Sequence, residues 1–413
     1  MEHRTNVSKN AERVKAKNAD RIKPPALSDV SEKDAKWDKH RGNTQTIGSL
    51  YDRAGEEGLE RLGVRMSKCA GLLKFGQAVN LETGEVSIKL DQAYFCKVRH
   101  CPVCQWRRGM SSMAKFYERL PAVAAAYPKA QWLFLTLTVK NPEMVDLRST
   151  LRDMNAAWQR MIQRAGWPAK GFIRTTEVTK GKDGKPHPHF HALLLVDPGY
   201  FAGHSYISQA KWADMWRDAL RADYTPVVHV AKVKAKSDRA KAAEASGDKT
   251  AALSAAVAET LKYSIKAEDM LTDGAFLFGI TKQLVKLRFL ATGGVLKGWL
   301  KETASNAEMV ETGLEDEGKD AEVRPELPPL FFGWKAGERK YRQVKLDGPK
   351  RSYEITARPP ELGGGWHLRL IEDGEEVGGG VFPPVPDMDV EQSYLSAFED
   401  AKAEAKSWMD SQP

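Results

Sequence analysis

The segment Phe172-Ile-Arg-Thr-Thr-Glu-Val-Thr-Lys-Gly-Lys-Asp-Gly-Lys-Pro-His-Pro-His-Phe-His-Ala-Leu-Leu-Leu-Val196 decides the fold. Both of its ends are rich in β-branched and large apolar residues, which favour strands. Gly181-Lys-Asp-Gly184 between them is typical of a turn. The segment therefore predicts a β-hairpin, with strands from Phe172 to Thr179 and from His189 to Val196.

Three polar residues of this hairpin form a candidate metal site. Alternate side chains of a strand point the same way, so His189 and His191 share one face and can grip one cation. A turn at about Lys182–Lys185 places Glu177 nearly opposite His189, and its carboxylate suits Mg²⁺ or Mn²⁺. His187 is the competing third ligand, because it is in phase with the other two histidines although close to the turn.

The cysteines predict a second, structural metal site. The chain has four, at Cys69, Cys96, Cys101 and Cys104. In a reducing compartment they favour metal binding over disulfides. Four thiolates match tetrahedral zinc in a closed site without a catalytic position. Cys69 is the ligand with the weakest spacing argument, and His100 is its substitute.

Charge indicates a polyanionic partner, with DNA or RNA first. The formal net charge is +8, and the isoelectric point is about 9.1. Arg99, Arg107 and Arg108 flank the cysteines and are candidate contacts to DNA phosphates. No apolar run reaches the ~18 residues of a membrane helix, and Met1 to Pro24 has no secretory apolar core, so we expect a cytoplasmic protein.

A tyrosine lies inside an Ala-rich segment that predicts a helix from Asp248 to about Met270. Residues three or four apart share a helical face, so Glu259, Tyr263 and Lys266 project together. A phenol is a weak nucleophile unless a nearby cation stabilises the phenolate. The spacing alone also fits a tyrosine that merely packs against neighbouring helices.

Composition and periodicity divide the chain into segments of an α+β protein. We expect a disordered basic arm over 1–45, a main domain over 46–300 that contains the cysteine segment 69–108, an acidic linker over 301–324, and a small α+β domain over 325–413. Further predicted elements are a helix at Met110–Ala126 that Pro121 interrupts, a buried strand at Gln131–Val139, an apolar helical repeat from Leu151 to Ile162, a helix at Ser208–Arg221, a strand at Val227–Lys234, strands at Ser352–Arg358 and Trp366–Ile371, and a helix at Gln392–Met409.

Taken in order, these motifs resemble those of the rolling-circle plasmid replication initiators of the HUH endonuclease superfamily. Phe134-Leu-Thr-Leu-Thr138 is similar to their first motif, and His187-Pro-His-Phe-His191 to their metal-binding second motif. Glu259-Thr-Leu-Lys-Tyr-Ser-Ile-Lys266 is similar to the third, which carries the nucleophilic tyrosine. Cys96 to Cys104 with the following arginines resembles one branch, which pairs a single tyrosine with a glutamate. The resemblance covers roughly residues 65–300.

The resemblance implies an HUH-type antiparallel sheet flanked by helices, with a zinc-binding insertion, and a metal-dependent nicking reaction. Tyr263 would attack one strand at a plasmid double-strand origin, leaving a 5′-phosphotyrosyl link and a free 3′-OH. Lys266 would hold a phosphate, and Glu259 would later activate water for a second cut. Host DNA polymerase and helicase would act at the nick, in the cytoplasm of a bacterium.

Two other functions share parts of this pattern. A relaxase or a single-strand transposase of the same superfamily would use the same chemistry on other DNA, although the cysteine segment and Glu259 favour the initiator. A zinc-containing DNA-binding regulator would use the basic charge and the cysteines, with histidines that only support the structure. The origin sequence, the preferred metal and the oligomeric state are not readable from the sequence.

Overall fold

The hairpin quoted above forms the centre of a five-stranded antiparallel sheet. In the computed structural model the strand order is β6-β3-β5-β4-β7. These strands are β3 (Gln131–Thr138), β4 (Ala169–Lys180), β5 (Pro186–Val196), β6 (Val228–Lys232) and β7 (Leu290–Gly294). The predicted hairpin is confirmed, and Glu177 pairs directly with His189.

The structure describes residues 23–80, 86–201, 205–233, 260–261, 267–300, 305–310, 321–323, 327–345, 351–372, 374–386 and 388–410. Its helices are α1 (Leu27–Val30), α2 (Lys36–Asp52), α3 (Glu57–Ser67), α4 (Pro102–Ala126), α5 (Leu147–Ile162), α6 (Gln209–Leu220), α7 (Ala267–Leu271), α8 (Gly274–Gln283), α9 (Asn306–Val310) and α10 (Val390–Asp410). Its other strands are β1 (Leu72–Asn80), β2 (Val86–Ala93), β8 (Ala321–Val323), β9 (Leu330–Lys335), β10 (Lys340–Val344), β11 (Arg351–Ala357), β12 (Trp366–Glu372) and β13 (Glu375–Phe382).

Helices cover both faces of the central sheet. Alternate side chains of β5 point to opposite faces, and both sets include large apolar residues that the helices bury. On one face Leu194 packs with Trp158 of α5 and Trp216 of α6. On the other face Leu193 and Leu195 pack with α4. We call this second face the site face, because it also carries Glu177, His189 and His191.

The predicted helix at Met110–Ala126 is longer than expected and continuous. Helix α4 begins at Pro102, directly after Cys101, and runs through Pro121 without a break. Its residues Phe116, Leu120 and Val123 are buried against the site face. Packing against the sheet therefore outweighs the hydrogen bond that a proline inside a helix removes.

A second sheet corrects the predicted N-terminal arm and the domain boundary. Its strand order is β10-β9-β1-β2, with β8 also paired to β1. Residues 330–344 thus complete a sheet with Leu72–Asn80 instead of belonging to the small domain. The two compact units of the chain are residues 1–344 and 345–413, so the boundary lies beyond the expected position 325.

Residues 27–45 of the predicted arm are mostly helical, and the reason lies in tertiary contacts. Trp37 of α2 is fully buried and packs edge-on against Trp106, with ring centroids 4.8 Å apart, and against Tyr341, with centroids 6.4 Å apart. These partners lie far along the chain, so local composition does not reveal them. Residues 1–22 lie outside the described part of the chain.

Part of the predicted acidic linker is also packed. Helix α9 (Asn306–Val310) lies against α4, and Met309 is fully buried. Residues 301–304 and 311–320 lie outside the described residues, as does most of the predicted helix from Asp248 to Met270.

The unit formed by residues 345–413 contains both strands and a helix, whereas the sequence predicted a small α+β domain over 325–413. Strands β11, β12 and β13 form an antiparallel sheet in that order. Helix α10 packs against it through Ala401 and Ala405, which contact Leu368 and Leu370. The predicted α+β fold class is therefore confirmed. Within the described residues, no helix is long and apolar enough to cross a membrane.

Candidate metal centres and family

Glu177, His189 and His191 converge on the site face of the hairpin. Their ligand atoms all lie within 4.8 Å of one another. Oε2 of Glu177 lies 3.3 Å from Nε2 of His189 and 3.0 Å from Nε2 of His191. The three side chains are buried, with exposed fractions of 3%, 8% and 7%.

The hydrogen bonds of the two histidines aim their Nε2 atoms at the carboxylate. Nδ1 of His189 lies 3.1 Å from the carbonyl oxygen of His187, which only accepts, so Nδ1 carries the proton. In the neutral ring Nε2 of His189 then presents a lone pair toward the Glu177 carboxylate. Two lone pairs facing each other repel unless a cation lies between them. That cation is either a second proton, which makes His189 an imidazolium that donates to Glu177, or a metal ion, and the group therefore fits a metal ion.

The carboxylate contributes the negative charge of this group. Burial alone would raise the pKa of the Glu177 carboxyl. Hydrogen bonds with His189 and His191 outweigh burial and hold the pKa of Glu177 well below its usual value. An ionised carboxylate with two imidazoles is a donor set for Mn²⁺ or Mg²⁺.

His187, the competing ligand, is held outside this group. Its Nδ1 lies 2.7 Å from Oδ1 of Asn141. The amide of Asn141 is fixed in turn, because Nδ2 donates to both carboxylate oxygens of Asp183 at 3.0 Å. The structure thus brings Glu177, not His187, to the other two histidines.

The four cysteines form a second buried cluster. Cys69 follows α3, Cys96 follows β2, and Cys101 and Cys104 lie at the start of α4. Sulfur atoms of Cys69 and Cys104, of Cys96 and Cys104, and of Cys69 and Cys101 are 3.6 Å apart. A tetrahedron with Zn–S bonds of about 2.3 Å has edges of about 3.8 Å, so the spacing fits zinc.

The pKa values of the cysteine thiols indicate that a bound cation would stabilise the cluster. Hydrogen bonds with Cys101, Cys104 and Cys96, together with burial, raise the pKa of the Cys69 thiol well above its usual value. At Cys101 burial raises the pKa, but hydrogen bonds with the other three sulfur atoms outweigh it and lower the pKa well below its usual value. The cluster thus favours one thiolate among protonated thiols, and a divalent cation would compensate the charge of several thiolates. The N-terminus of α4 adds a favourable dipole, since Cys101 is its N-cap and Pro102 its first residue.

His100, the predicted substitute ligand, is not part of the cysteine cluster. It is buried, and its Nδ1 lies 3.0 Å from the hydroxyl oxygens of both Tyr51 and Thr281. Burial lowers the pKa of His100 to about 3, so its ring is neutral. The ring therefore joins α2 to α8 instead of facing the sulfur atoms.

The three arginines near the cysteines differ in their surroundings. Arg107 is fully buried and donates to the carbonyl oxygens of Met309, at 2.7 Å, and Val310, at 3.0 Å. The expectation that Arg107 contacts DNA is therefore wrong for this structure, because α9 covers its guanidinium. Arg99 and Arg108 are half-buried and donate to the carbonyl oxygens of Leu287 and Lys97. DNA contact by those two stays a prediction.

The predicted catalytic residues Glu259, Tyr263 and Lys266 lie outside the described residues. Sequence reasoning also left out Thr136 and Asn141, which bind the nitrogens of His191 and His187. Thr136 belongs to the segment Phe134–Thr138. Its alternation with the buried Leu135 and Leu137 was the sequence signal that it faces the same side of the sheet as the histidines.

Comparison with known proteins identifies the family. The replication protein family, Rep_1, matches residues 87–342. Several bacterial relatives carry the name "Protein rep", among them three from different species. The relative from Lactiplantibacillus plantarum is 33% identical over 280 residues, covering 62% of this chain and 86% of its own. The one from Bacillus amyloliquefaciens is 33% identical over 327 residues, covering 75% and 93%.

The third relative, from Streptococcus pneumoniae serotype 2, is 32% identical over 271 residues, covering 64% of this chain and 78% of its own. No solved structure gives a significant match. The chain belongs to the Rep_1 replication protein family, which confirms the resemblance drawn from its motifs.

Replacing Glu177 tests the ligand set of the site face. We expect Glu177→Gln to weaken Mn²⁺ binding by more than the ~10–100-fold that loss of an outer partner causes, because it removes the one anionic ligand that the described residues provide. His187→Gln should leave the Mn²⁺ affinity within a few-fold of wild type, because Asn141 holds His187 outside the ligand group. Isothermal titration calorimetry measures both, and the reverse ranking would identify His187 as the ligand.

The cysteine cluster is tested by metal content. We expect the purified protein to hold zinc at one ion per cluster, and Cys104→Ser to lose it, because a closed tetrahedral site needs all four ligands. His100→Asn, which keeps a polar group near the position of Nδ1, should retain zinc. Elemental analysis by mass spectrometry gives the content. Zinc in Cys104→Ser together with loss in His100→Asn would show that His100 is a ligand.

Proposed function

We propose that this protein initiates rolling-circle replication of a plasmid by nicking one strand at the double-strand origin. Tyr263 is the nucleophile, and Glu177, His189 and His191 hold the divalent cation. One observation carries the proposal: a member of a replication protein family has a buried Glu/His/His group in which Nε2 of both histidines lies within 3.3 Å of one carboxylate oxygen. Structural histidines do not need that arrangement.

Described residues on both sides of position 263 support its nearness to this group. The hydroxyl of Thr175 donates to the carbonyl oxygen of Thr260 at 2.5 Å. The backbone N–H of Lys180 donates to the carboxylate of Asp269 at 2.9 Å. Thr175 and Lys180 lie on β4, on either side of Glu177.

Chain length limits how far Tyr263 lies from the first of these anchors. Thr260 and Leu261 are buried, and Leu261 packs with Ile173 and Leu193 on the site face. Three residues span at most about 11 Å. This limit on chain length supports the proposal that Tyr263 reaches the cation held beside Glu177.

The first reaction is a transesterification. The Tyr263 oxygen forms a bond to the scissile phosphorus, and the bond from phosphorus to the 3′ oxygen breaks. The phenol loses its proton and the departing 3′ oxygen gains one, which leaves a 5′-phosphotyrosyl link and a free 3′-OH. A divalent cation, when bound, would withdraw charge from the phosphate oxygens. Lys266 would neutralise the same or a neighbouring phosphate.

The second reaction ends the round. Glu259 would take a proton from water, whose oxygen attacks the scissile phosphorus of the regenerated site and breaks its bond to the 3′ oxygen. The new 3′-OH then attacks the phosphotyrosyl link, releasing Tyr263 and a closed single-stranded circle. A cut made by water leaves no second covalent link, so the protein acts for one round only.

Charge distribution supports DNA binding by the larger unit. Residues 345–413 contain seven Lys and Arg but fourteen Asp and Glu, a net charge of −7. Because the net charge of the whole chain is +8, the other 344 residues have a net charge of +15. A polyanion is attracted to the larger unit and repelled by the smaller one, which favours a protein contact for the latter.

The partners of the proposed reaction follow from its products. A free 3′-OH is the substrate of a DNA polymerase, and continued extension requires a helicase to unwind the duplex. The host supplies both in this proposal. DNA contacts by the half-buried Arg99 and Arg108 would fix the orientation of the duplex without reading its sequence.

Cleavage of a supercoiled origin plasmid tests the proposal. With Mn²⁺, wild type should convert it to the nicked form and leave a covalent adduct on a denaturing gel. Tyr263→Phe should lose both, a drop of at least ~1,000-fold, since no other group forms the phosphotyrosyl bond. Tyr206→Phe, at an exposed tyrosine, should nick like wild type.

Four other outcomes would contradict the proposed function or favour a different one. Unchanged nicking by Tyr263→Phe would contradict the assigned nucleophile. Preferred cleavage of a transfer origin would indicate a relaxase, and of a transposon end a single-strand transposase. Specific DNA binding without any adduct in Mg²⁺ or Mn²⁺ would indicate a zinc-containing regulator.

A further inference from the structure

The two histidines of the site face are oriented by different kinds of partner. Nδ1 of His189 lies 3.1 Å from the carbonyl oxygen of His187, in the same strand. A main-chain carbonyl is present whatever the side chain. Nδ1 of His191 instead lies 3.2 Å from the hydroxyl oxygen of Thr136, on the neighbouring strand β3. The orientation of His191 therefore depends on a particular side chain.

Thr136 and Phe134 together fix the ring of His191. Thr136 pairs directly with His191 between β3 and β5, so both side chains project on the site face. The Phe134 ring stacks on the imidazole, with centroids 5.4 Å apart and planes inclined by 26°. One contact sets the rotation of the ring about its axis, and the other limits its tilt.

We propose that Thr136 is a positioning residue for the metal centre: its hydroxyl holds Nδ1 of His191 so that Nε2 faces the cation beside Glu177. This inference rests on the proposed function. A neutral imidazole that gives its Nε2 lone pair to a metal carries its proton on Nδ1 and needs an acceptor there. The threonine oxygen is that acceptor.

A hydroxyl suits this position better than a carboxylate or a carbonyl would. Without a metal, a proton on Nε2 of His191 can donate to Oε2 of Glu177 at 3.0 Å. Nδ1 then has a lone pair and needs a donor. A hydroxyl rotates to donate or accept, so Thr136 serves both tautomers, and a methyl group in its place serves neither.

The same inference gives the segment Phe134–Thr138 a physical role. Leu135 and Leu137 point into the opposite face and are fully buried, anchoring the strand. Phe134 and Thr136 point to the site face and orient His191. Thr138 pairs with His189, but its hydroxyl donates to the carbonyl oxygen of Val227 at 2.9 Å.

Thr138 therefore provides a matched control for Thr136. Both are threonines of one strand, both face the site, and both lie opposite a metal-site histidine. Only the Thr136 hydroxyl contacts the imidazole of its partner. Threonine to valine keeps the shape of the side chain and the preference for a strand while removing the hydroxyl.

The test is Mn²⁺ affinity of the full-length protein, measured by isothermal titration calorimetry, with thermal unfolding of each metal-free variant as the check of folding. We expect Thr136→Val to bind Mn²⁺ ~10–100-fold more weakly than wild type. Thr136→Ser, which restores the hydroxyl, and Thr138→Val should bind like wild type. The metal-free unfolding temperatures should match.

Two results would overturn the inference. One is wild-type affinity in Thr136→Val. The other is equal loss in Thr136→Val and Thr138→Val, because that would show a general loosening of the strand. Either result, with wild-type Mn²⁺ binding and origin nicking intact, rejects the role of Thr136 and leaves the proposed function standing. Absence of nicking and of Mn²⁺ binding in wild type would instead reject the proposed function, and the role of Thr136 with it.

Discussion

The direct pairing of Glu177 with His189 is the constraint on which the rest of the structure depends. Side chains of a strand alternate between two faces, so a slip of one residue in this register would send Glu177 to the opposite side of the sheet. The carboxylate would then lie among the aromatic side chains of α5 and α6. With the observed register, Glu177, His189 and His191 meet on one face, and the chemistry proposed for the chain becomes possible.

The cysteine cluster and the central sheet are connected through α4. Cys101 and Cys104 lie at the start of this helix, and its second half covers the site face through Phe116, Leu120 and Val123. A zinc ion on the cysteines would fix the end of the helix whose Trp106 packs against Trp37. The two candidate metal sites would thus have separate roles: one would support the scaffold, and the other lies where that scaffold leaves polar side chains together.

How much of this was readable from the sequence depended on the distance between interacting residues. The hairpin, its register and the convergence of Glu177 with two histidines follow from alternation and turn chemistry within about 25 residues, which are local properties. The choice of Glu177 over His187 was not readable, because Asn141 and Asp183 hold His187 aside.

The expectations that the structure corrects all involve partners far along the chain. Arg107 lies in a basic, cysteine-rich segment that is typical of DNA binding. Its guanidinium is nevertheless bound by the carbonyl oxygens of Met309 and Val310, about two hundred residues further along the chain. Residues 330–344 adjoin the small domain in sequence and were predicted to belong to it, but residues 330–333 pair with Leu72–Phe75. Hydrogen-bond partners and sheet edges at such separations leave no periodic signal.

Pulsed electron paramagnetic resonance of bound Mn²⁺ tests the central claim most directly. In protein labelled with ¹⁵N-histidine, the couplings count the imidazole nitrogens on the ion. The account predicts two nitrogens, from His189 and His191, with the same two remaining when His187 is replaced by Gln. A third imidazole nitrogen that disappears in His187→Gln, or an ion with no histidine nitrogen at all, would contradict it.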